Sequence, residues 1–311
     1  MSTPTRKRLS GVLPSAVLAG LLGVAYLLGG WAHREKLWPF GRGLLDAAPA
    51  ADAISGEAAN PAVGPLFAEF GRLSHHPSKR AVDCPRQTDR TMVALVFGQS
   101  NSANHGGERH QSTGAVTNYF RGACFDGSDP LLGATGVGGS PWGRMADRLI
   151  EKRMFDQVVL IAAGINRTSI ERWRHGGDLN GMLVRDLTDV SDHYEITHFF
   201  WHQGESDAGR GEHYREALAE VIATTREVFP NSKFFVSVAT RCGFGAIDSV
   251  LAREQMKVTD AEHGIFLGAT TDDIDRRYDD CHFSGEGLDI FAERLVAALK
   301  REDTYSPAGF E

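Results

Sequence analysis

Short apolar runs rich in β-branched and aromatic residues alternate with longer segments of helical periodicity, and this alternation constrains the fold most strongly. The runs cover residues 92–97, 158–162, 198–201, 234–239 and 265–267, and the helical patterns cover residues 142–153, 179–194, 213–229, 247–263 and 285–301. Continuous apolar strands separated by helices are typical of a parallel sheet that is covered on both faces. The sequence therefore predicts one doubly wound α/β domain, over residues 84–303, with a five-stranded parallel sheet.

The N-terminal segment predicts a membrane anchor. Basic residues at positions 6–8 precede an almost uncharged stretch over residues 11–32. About twenty apolar residues span a bilayer as a helix, and basic residues in front of the span favour a cytoplasmic N-terminus. We therefore expect a single-pass protein of the inner or plasma membrane, with residues 1–10 cytoplasmic and the catalytic domain periplasmic or extracellular. A cleaved signal peptide is the alternative, and it also exports the domain. Residues 33–83 are predicted as a linker and 304–311 as a C-terminal tail.

Charge and cysteine content argue against a nucleic-acid partner and a zinc site, and they indicate disulfides. The formal net charge is -7 and no Lys/Arg-rich stripe is present, which argues against a nucleic-acid partner. The four cysteines form no C-x-x-C pair, which argues against a zinc ribbon. In an oxidising compartment we expect two disulfides, Cys84–Cys124 and Cys242–Cys281, because each pair would flank the same part of the site. Four free buried thiols are the alternative.

Polar residues follow the apolar runs, at the points where the predicted strands end. They are Ser100 after the first run, Gly164 after the second, Gln203 after the third, Arg241 after the fourth, and Asp279 with His282 after the last. Ligands of a doubly wound sheet bind at the carboxyl ends of its strands. We therefore expect these residues to converge on one edge of the sheet.

Ser100, His282 and Asp279 together have the chemistry of a nucleophilic triad. A serine hydroxyl needs a neighbouring base to become a nucleophile, and the spacing Asp-x-x-His places both side chains on one side of a helical turn. The carboxylate then accepts the imidazole Nδ1–H and leaves the other ring nitrogen for the serine. The backbone N–H of Ser100, Gly164 and the side chain of Gln203 are candidate oxyanion donors. A serine that caps a helix is the structural alternative for Ser100.

Three segments, over residues 98–101, 201–207 and 279–284, resemble the sialate O-acetylesterase-like branch of the SGNH/GDSL hydrolases, and residues 168–173 are similar to its second block. The resemblance implies a three-layer, flavodoxin-like α/β/α fold and removal of acetyl groups from carbohydrate without metal or cofactor. It also implies Ser100, Asp279 and His282 as the triad and Gln203 in an oxyanion position. In one departure, Asn166 and Arg167 replace the glycine pair of the second block, so Gly164 or a loop rebuilt around Asn166 would supply that donor.

Further polar residues are candidates for binding the substrate: Gln99, Asn101, Glu205 and Arg241. Glu205 has bracing of its loop as an alternative role, and Arg241 has a surface salt bridge. The sequence thus predicts a serine esterase that acts on an acetylated carbohydrate or polysaccharide through an acyl-enzyme. One alternative is a membrane-anchored polysaccharide O-acetyltransferase with the same triad. Another is a catalytically silent carbohydrate-binding or scaffold protein.

Overall fold

A computed structural model of the chain describes residues 64–243 and 246–303. The strands of this part are β1 (Leu66–Phe67), β2 (Leu73–His75), β3 (Ala81–Val82), β4 (Thr91–Gly98), β5 (Val116–Phe120), β6 (Ala123–Asp126), β7 (Gln157–Ala162), β8 (His198–His202), β9 (Lys233–Val238) and β10 (Ile265–Thr270). The helices are α1 (Trp142–Glu151), α2 (Asp178–Ser191), α3 (Tyr214–Val228), α4 (Ser249–Lys257) and α5 (Gly285–Asp303).

The main sheet has the strand order β10-β9-β8-β4-β7-β5-β6-β3. The pairs from β10 to β5 are all parallel, whereas β6 runs antiparallel to both of its neighbours. The predicted α/β class is confirmed, and the five predicted strands are adjacent in the order β7-β4-β8-β9-β10. This is the flavodoxin-like order, in which the first strand lies between the second and the third. The predicted sheet of five parallel strands is wrong, because the sheet has eight strands and is mixed.

The extra strands come from two regions that lack a strong sequence signal. β5 and β6 form a hairpin whose two turn residues, Arg121 and Gly122, have φ angles of 50° and 78°. Two consecutive positive φ angles are typical of a type I′ turn, but Arg-Gly is not among the dipeptides that favour it. Residues 64–83, predicted as part of the linker, contain β1, β2 and β3. Arg72 in this segment is buried and forms a salt bridge with Asp186 at 2.7 Å.

The core lies on both faces of the sheet. Alternate residues of β4 divide between two apolar clusters, one containing Val93, Leu95 and Phe97 and the other containing Met92, Ala94 and Val96. The first cluster includes side chains of α2, α3 and α4, and the second includes side chains of α1 and α5. The result is a three-layer α/β/α sandwich. Burial on both faces explains why β4 is a continuous apolar run.

Both predicted disulfides, Cys84–Cys124 and Cys242–Cys281, are present, so the alternative of four free thiols is wrong. The predicted anchor at residues 11–32 lies outside the described residues, as do residues 1–10, most of the predicted linker and the C-terminal tail. Within residues 64–243 and 246–303, no helix is both long and apolar enough to cross a membrane.

Candidate active site

The loops that follow β4, β7 and β8 are joined by backbone hydrogen bonds at the carboxyl edge of the sheet. Gln99 N–H donates to the His202 carbonyl at 3.0 Å, and Ile165 N–H donates to the Gly98 carbonyl at 2.9 Å. Gly98 has a φ of 128°, and a Cβ at this position would lie 2.0 Å from the His202 carbonyl oxygen. Only glycine fits such a close approach of two strand ends. This approach brings the loop that starts with Ser100 against the loop that starts with Gln203.

Ser100 begins a single 3-10 turn, Ser100–Ser102, which follows β4 after one residue, Gln99. The turn is closed by hydrogen bonds from Ser102 N–H to Gln99 O and from Ala103 N–H to Ser100 O, both 2.9 Å. Ser100 is only 3% exposed. Its hydroxyl makes no hydrogen bond to any residue within 64–243 or 246–303, so it is not satisfied as a capping group. The structure therefore leaves the hydroxyl available for another partner.

Asp279 and His282 form a hydrogen-bonded pair, with 2.7 Å between Asp279 Oδ2 and His282 Nδ1. Asp279 Oδ1 accepts the backbone N–H of His282 at 2.6 Å. Burial alone would raise the pKa of Asp279, but the hydrogen bonds from His282 and its charge bring the pKa below the usual value. His282 Nε2 is buried and has no hydrogen-bond partner in the described part of the chain. The carboxylate thus orients the ring and leaves Nε2 free.

The local structure of this pair differs from the predicted helical turn. Residues 271–284 form an irregular loop between β10 and α5, and Asp280 has a left-handed φ of 63°. The pair is instead closed by the Asp279 carboxylate, which accepts the backbone N–H groups of two following residues. Such carboxylate-to-backbone bonds are typical of Asp in turns.

Asn101 fastens this loop beside Ser100. Its Nδ2 donates to the Cys281 carbonyl at 3.2 Å, and its Oδ1 accepts the Phe283 N–H at 3.4 Å. These two backbone groups flank His282, and Asn101 directly follows Ser100 in the chain. One side chain therefore holds the segment that carries the histidine against the turn that carries the serine. Asn101 is only 2% exposed and its amide is occupied by these bonds, so it has a structural role here, while its role in substrate binding stays a prediction.

Two backbone N–H groups at the Ser100 turn have no backbone acceptor within residues 64–243 and 246–303. The N–H groups of Ser100 and Gly164 donate to no backbone acceptor in the described loops. A Cβ at Gly164 would lie 3.0 Å from the backbone nitrogen of Ala103, which places Gly164 against the Ser100 turn. The N–H of Asn166, by contrast, donates to Thr135 Oγ1 at 2.9 Å. Of the two donors considered for this loop, Gly164 is therefore the one left available.

Gln203 does not have the free N–H that an oxyanion donor requires. Its Nε2 lies within hydrogen-bond distance of three acceptors, at 2.8 Å from Thr168 O, 2.5 Å from Asp207 Oδ2 and 3.2 Å from Gln99 Oε1. Its Oε1 accepts the hydroxyl proton of Tyr214. Both amide protons of Gln203 are therefore donated to acceptors within the protein, and the side chain links the residues that surround it.

The sequence over residues 90–301 matches the family described as carbohydrate esterase, sialic acid-specific acetylesterase. The chain belongs to this family. It is accordingly a carboxylic ester hydrolase of the carbohydrate esterase type. A comparison with curated proteins found no match.

Two solved structures share the fold of this carbohydrate esterase. A protein from Arabidopsis thaliana is 16% identical, with a TM-score of 0.57, and the match covers 68% of this chain and 98% of the plant protein. The structure of NanS is 14% identical, with a TM-score of 0.51, and the match covers 70% of this chain and 99% of NanS.

The remaining candidates for substrate binding in this esterase have partners within the protein. The Gln99 side-chain oxygen accepts the Ser206 N–H at 3.1 Å. Glu205 is almost fully buried, and its Oε1 accepts from Asn101 Nδ2 at 2.9 Å. Burial raises the pKa of Glu205 to about 7. Arg241 forms a salt bridge with Asp275 at 2.6 Å. Gln99 and Glu205 thus bond neighbouring residues of the site, and Arg241 makes the salt bridge considered for it; their roles in substrate binding stay predictions.

The sequence gives no indication of one further residue at the site, His105. Its ring stacks on the ring of His282, with centroids 5.6 Å apart and an interplanar angle of 26°. Burial lowers the pKa of His105 to about 4, with smaller contributions from the charges of His282 and Arg167. His105 lies in a loop without periodicity, so neither a motif nor a spacing marks it.

Proposed function

We propose that this protein is a serine esterase that removes O-acetyl groups from carbohydrate, with Ser100, His282 and Asp279 as its triad. The arrangement around Asn101 carries the proposal. It fastens both backbone neighbours of His282 beside Ser100, while Asp279 binds Nδ1 of the ring and leaves Nε2 buried and unpaired. An unpaired buried nitrogen is costly for folding, and its retention supports a functional partner such as the Ser100 hydroxyl.

The geometry supports a two-step acyl transfer. His282 Nε2 takes the proton of the Ser100 hydroxyl as Oγ attacks the acetyl carbonyl, and Asp279 stabilises the imidazolium that forms. The N–H groups of Ser100 and Gly164 are the proposed donors to the oxyanion. The imidazolium then protonates the departing sugar oxygen. Water, deprotonated by His282, attacks the acetyl-Ser100 ester and releases acetate.

The acetylated carbohydrate as substrate rests on the family. The family description names carbohydrate esterases and sialic acid-specific acetylesterases. A polysaccharide O-acetyltransferase would use the same acyl-enzyme, with a sugar hydroxyl in place of water as the acceptor. Measurement of the partition between acetate and acetylated sugar, with and without an oligosaccharide acceptor, distinguishes the two reactions.

We also propose that the catalytic domain works outside the cytoplasm, held at the membrane by residues 11–32. The two disulfides support export, because such bonds persist in oxidising compartments. The nearly uncharged stretch behind three basic residues supports the anchor. Fractionation of cells that express the full chain, followed by protease treatment from outside, tests both points. Retention in the cytosolic fraction would contradict them.

Replacement of Ser100 tests the esterase proposal. Ser100→Ala is expected to lower kcat on p-nitrophenyl acetate and on acetylated polysaccharide by about 10³–10⁴-fold or more. Ser102→Ala is the matched control, because this serine is in the same turn and its buried hydroxyl has no hydrogen-bond partner in the described residues. The control should keep normal activity. Full activity of Ser100→Ala would refute the assignment.

A further inference from the structure

His105 contacts both the proposed base and Thr135, which is bonded to the loop that carries Gly164. Its ring stacks on His282, and its Nε2 lies 3.1 Å from Thr135 Oγ1. Tyr278, whose ring stacks on His282 as well, donates its hydroxyl proton to the His105 carbonyl at 3.0 Å. His105 is therefore fixed through both its ring and its backbone.

Thr135 continues this connection to the loop after β7. Its hydroxyl accepts the Asn166 N–H at 2.9 Å, and its backbone N–H donates to the Gly164 carbonyl at 2.9 Å. Thr135 thus fixes the carbonyl of Gly164, in the peptide that follows the Gly164 N–H, and Thr135 is in turn bonded to His105. A continuous set of contacts joins the His282 ring to the residue that carries the proposed oxyanion donor.

The electrostatic state of His105 suits a neighbour of a catalytic histidine. Burial, the charge of His282 and the charge of Arg167 all lower its pKa, whereas Asp279 raises it, with a result of about 4. His105 is consequently neutral at neutral pH. A neutral ring can stack on the imidazolium formed during acyl transfer, whereas a charged one would repel it across 5.6 Å.

We propose that His105 is a positioning residue that fixes the plane of the His282 ring and couples it to the loop that carries Gly164. This inference rests on the proposed function, since it assigns to His105 a role in activating Ser100. The role lies in orientation, so loss of His105 should slow acylation without weakening substrate binding. Small losses of orientation have large effects on acyl transfer, because the rate depends steeply on the geometry of attack.

Three variants separate the two contacts of His105, and a fourth is the control. His105→Ala removes the stacking and the hydrogen bond, and His105→Phe keeps an aromatic ring without the hydrogen bond. Thr135→Val keeps the stacking but removes the Thr135 hydroxyl, which bonds both His105 Nε2 and the Asn166 N–H. His193→Ala is the matched control, because His193 also contacts an aromatic ring, that of Tyr119 at 5.5 Å, but lies on α2's C-terminal side outside the site. Steady-state kinetics, the rate of Ser100 phosphonylation by a fluorophosphonate, and the urea midpoint are measured for each.

We expect His105→Ala to lower kcat and the phosphonylation rate together by roughly 10–100-fold, with KM within about twofold of wild type. His105→Phe and Thr135→Val should each retain several-fold more activity than His105→Ala, and the control should match wild type. Normal kcat for His105→Ala would overturn the inference, as would an effect on KM alone or a loss equalled by His193→Ala. The proposed function fails separately, through an active Ser100→Ala variant, so the two failures can be told apart.

Discussion

The turn that carries Ser100 and the loop that carries His282 reach the same site by different structural means. Ser100 follows an eight-residue strand that is buried on both faces, and its turn is closed by backbone hydrogen bonds. His282 lies in an irregular loop, residues 271–284, that is held by a disulfide, by Asn101 and by Arg277. Arg277 donates to the Thr271 carbonyl and lies over the Phe283 ring at 4.2 Å. The position of the proposed nucleophile thus follows from the sheet, and the position of the proposed base depends on tertiary contacts.

This difference suggests that perturbations of the His282 loop can reduce activity while the sheet stays intact. Perturbations elsewhere in the fold should instead reduce stability first.

Replacement of the loop's own ionisable pair should have the largest effect. His282→Ala removes the proposed base, and Asp279→Asn removes the carboxylate that fixes its tautomer, so each should lower kcat by about 10³–10⁴-fold. The variants should retain the urea midpoint of wild type to within a small shift, because the side chain of Asp279 is 41% exposed and that of His282 19%. Steady-state kinetics and urea denaturation measure both quantities.

Asp280→Asn is the matched control for this pair. Asp280 is adjacent but has a left-handed φ of 63°, which Asn tolerates as well as Asp does. It should keep near-normal kcat. An Asp280→Asn variant as inactive as Asp279→Asn would mean that the loop, rather than the pair, determines the activity.

The two disulfides offer a direct test of the contrast between the regions. They close loops of nearly equal length, with sequence separations of 40 and 39 residues, so the chain-entropy model predicts equal stabilisation, about 3–4 kcal/mol. Only Cys242–Cys281 is joined to the His282 loop, whereas Cys84–Cys124 ties the segment before β4 to β6. The paired change of Cys242 and Cys281 to serine should therefore lower kcat by roughly tenfold or more.

The paired change of Cys84 and Cys124 to serine is the control and should retain kcat at a temperature where the protein remains folded. Kinetics and thermal denaturation are compared for the two variants. Equal loss of kcat in both would show that the two regions are not separable in this way.

Glu205 should produce the smallest effect, on the pH dependence of stability. Its pKa is raised by burial from 4.5 to about 7, so the folded state binds its proton more tightly than the unfolded state does. The free energy of unfolding should therefore fall by about 3 kcal/mol at most as pH rises from about 4.5 to about 7. Above about pH 7 it should level off. Glu205→Gln keeps an oxygen acceptor for Asn101 and cannot ionise.

The free energy of unfolding, measured from urea titrations between pH 5 and 8, should decrease with pH more steeply for wild type than for Glu205→Gln. Identical slopes would show that Glu205 titrates as an ordinary exposed carboxylate. If Glu205→Gln also had a lower kcat than wild type at pH 8, this would show that the negative charge of Glu205 helps to position Asn101.

The same contrast explains which parts of the molecule are predictable from the sequence. The β4 run and the residues that follow it are a local pattern, so the strand, the turn and Ser100 are all found from the sequence. The spacing of Asp279 and His282 also identifies the pair, although the helical turn expected for it is replaced by a carboxylate-capped bend. The disulfides follow from the cysteine content together with the expected convergence of the loops.

What the sequence does not reveal depends on contacts between distant residues. The β5–β6 hairpin has an Arg-Gly turn without a strong signal, and β3 is only two residues long. Asn101 is predicted to face the substrate and Gln203 the oxyanion. A buried amide forms hydrogen bonds with the loops that surround it. Which loops these are is known only from the three-dimensional structure. His105 is found only through its contact with His282.

The identity of the acylated residue tests the central claim most directly. The purified full chain is treated with a fluorophosphonate and digested, and the modified peptide is identified by mass spectrometry, in parallel with His282→Ala. We expect a single adduct on Ser100 in the wild type and a loss of labelling rate of about 10³-fold or more in His282→Ala. An adduct on another serine, such as Ser102, or labelling of Ser100 at an equal rate without His282, would contradict it.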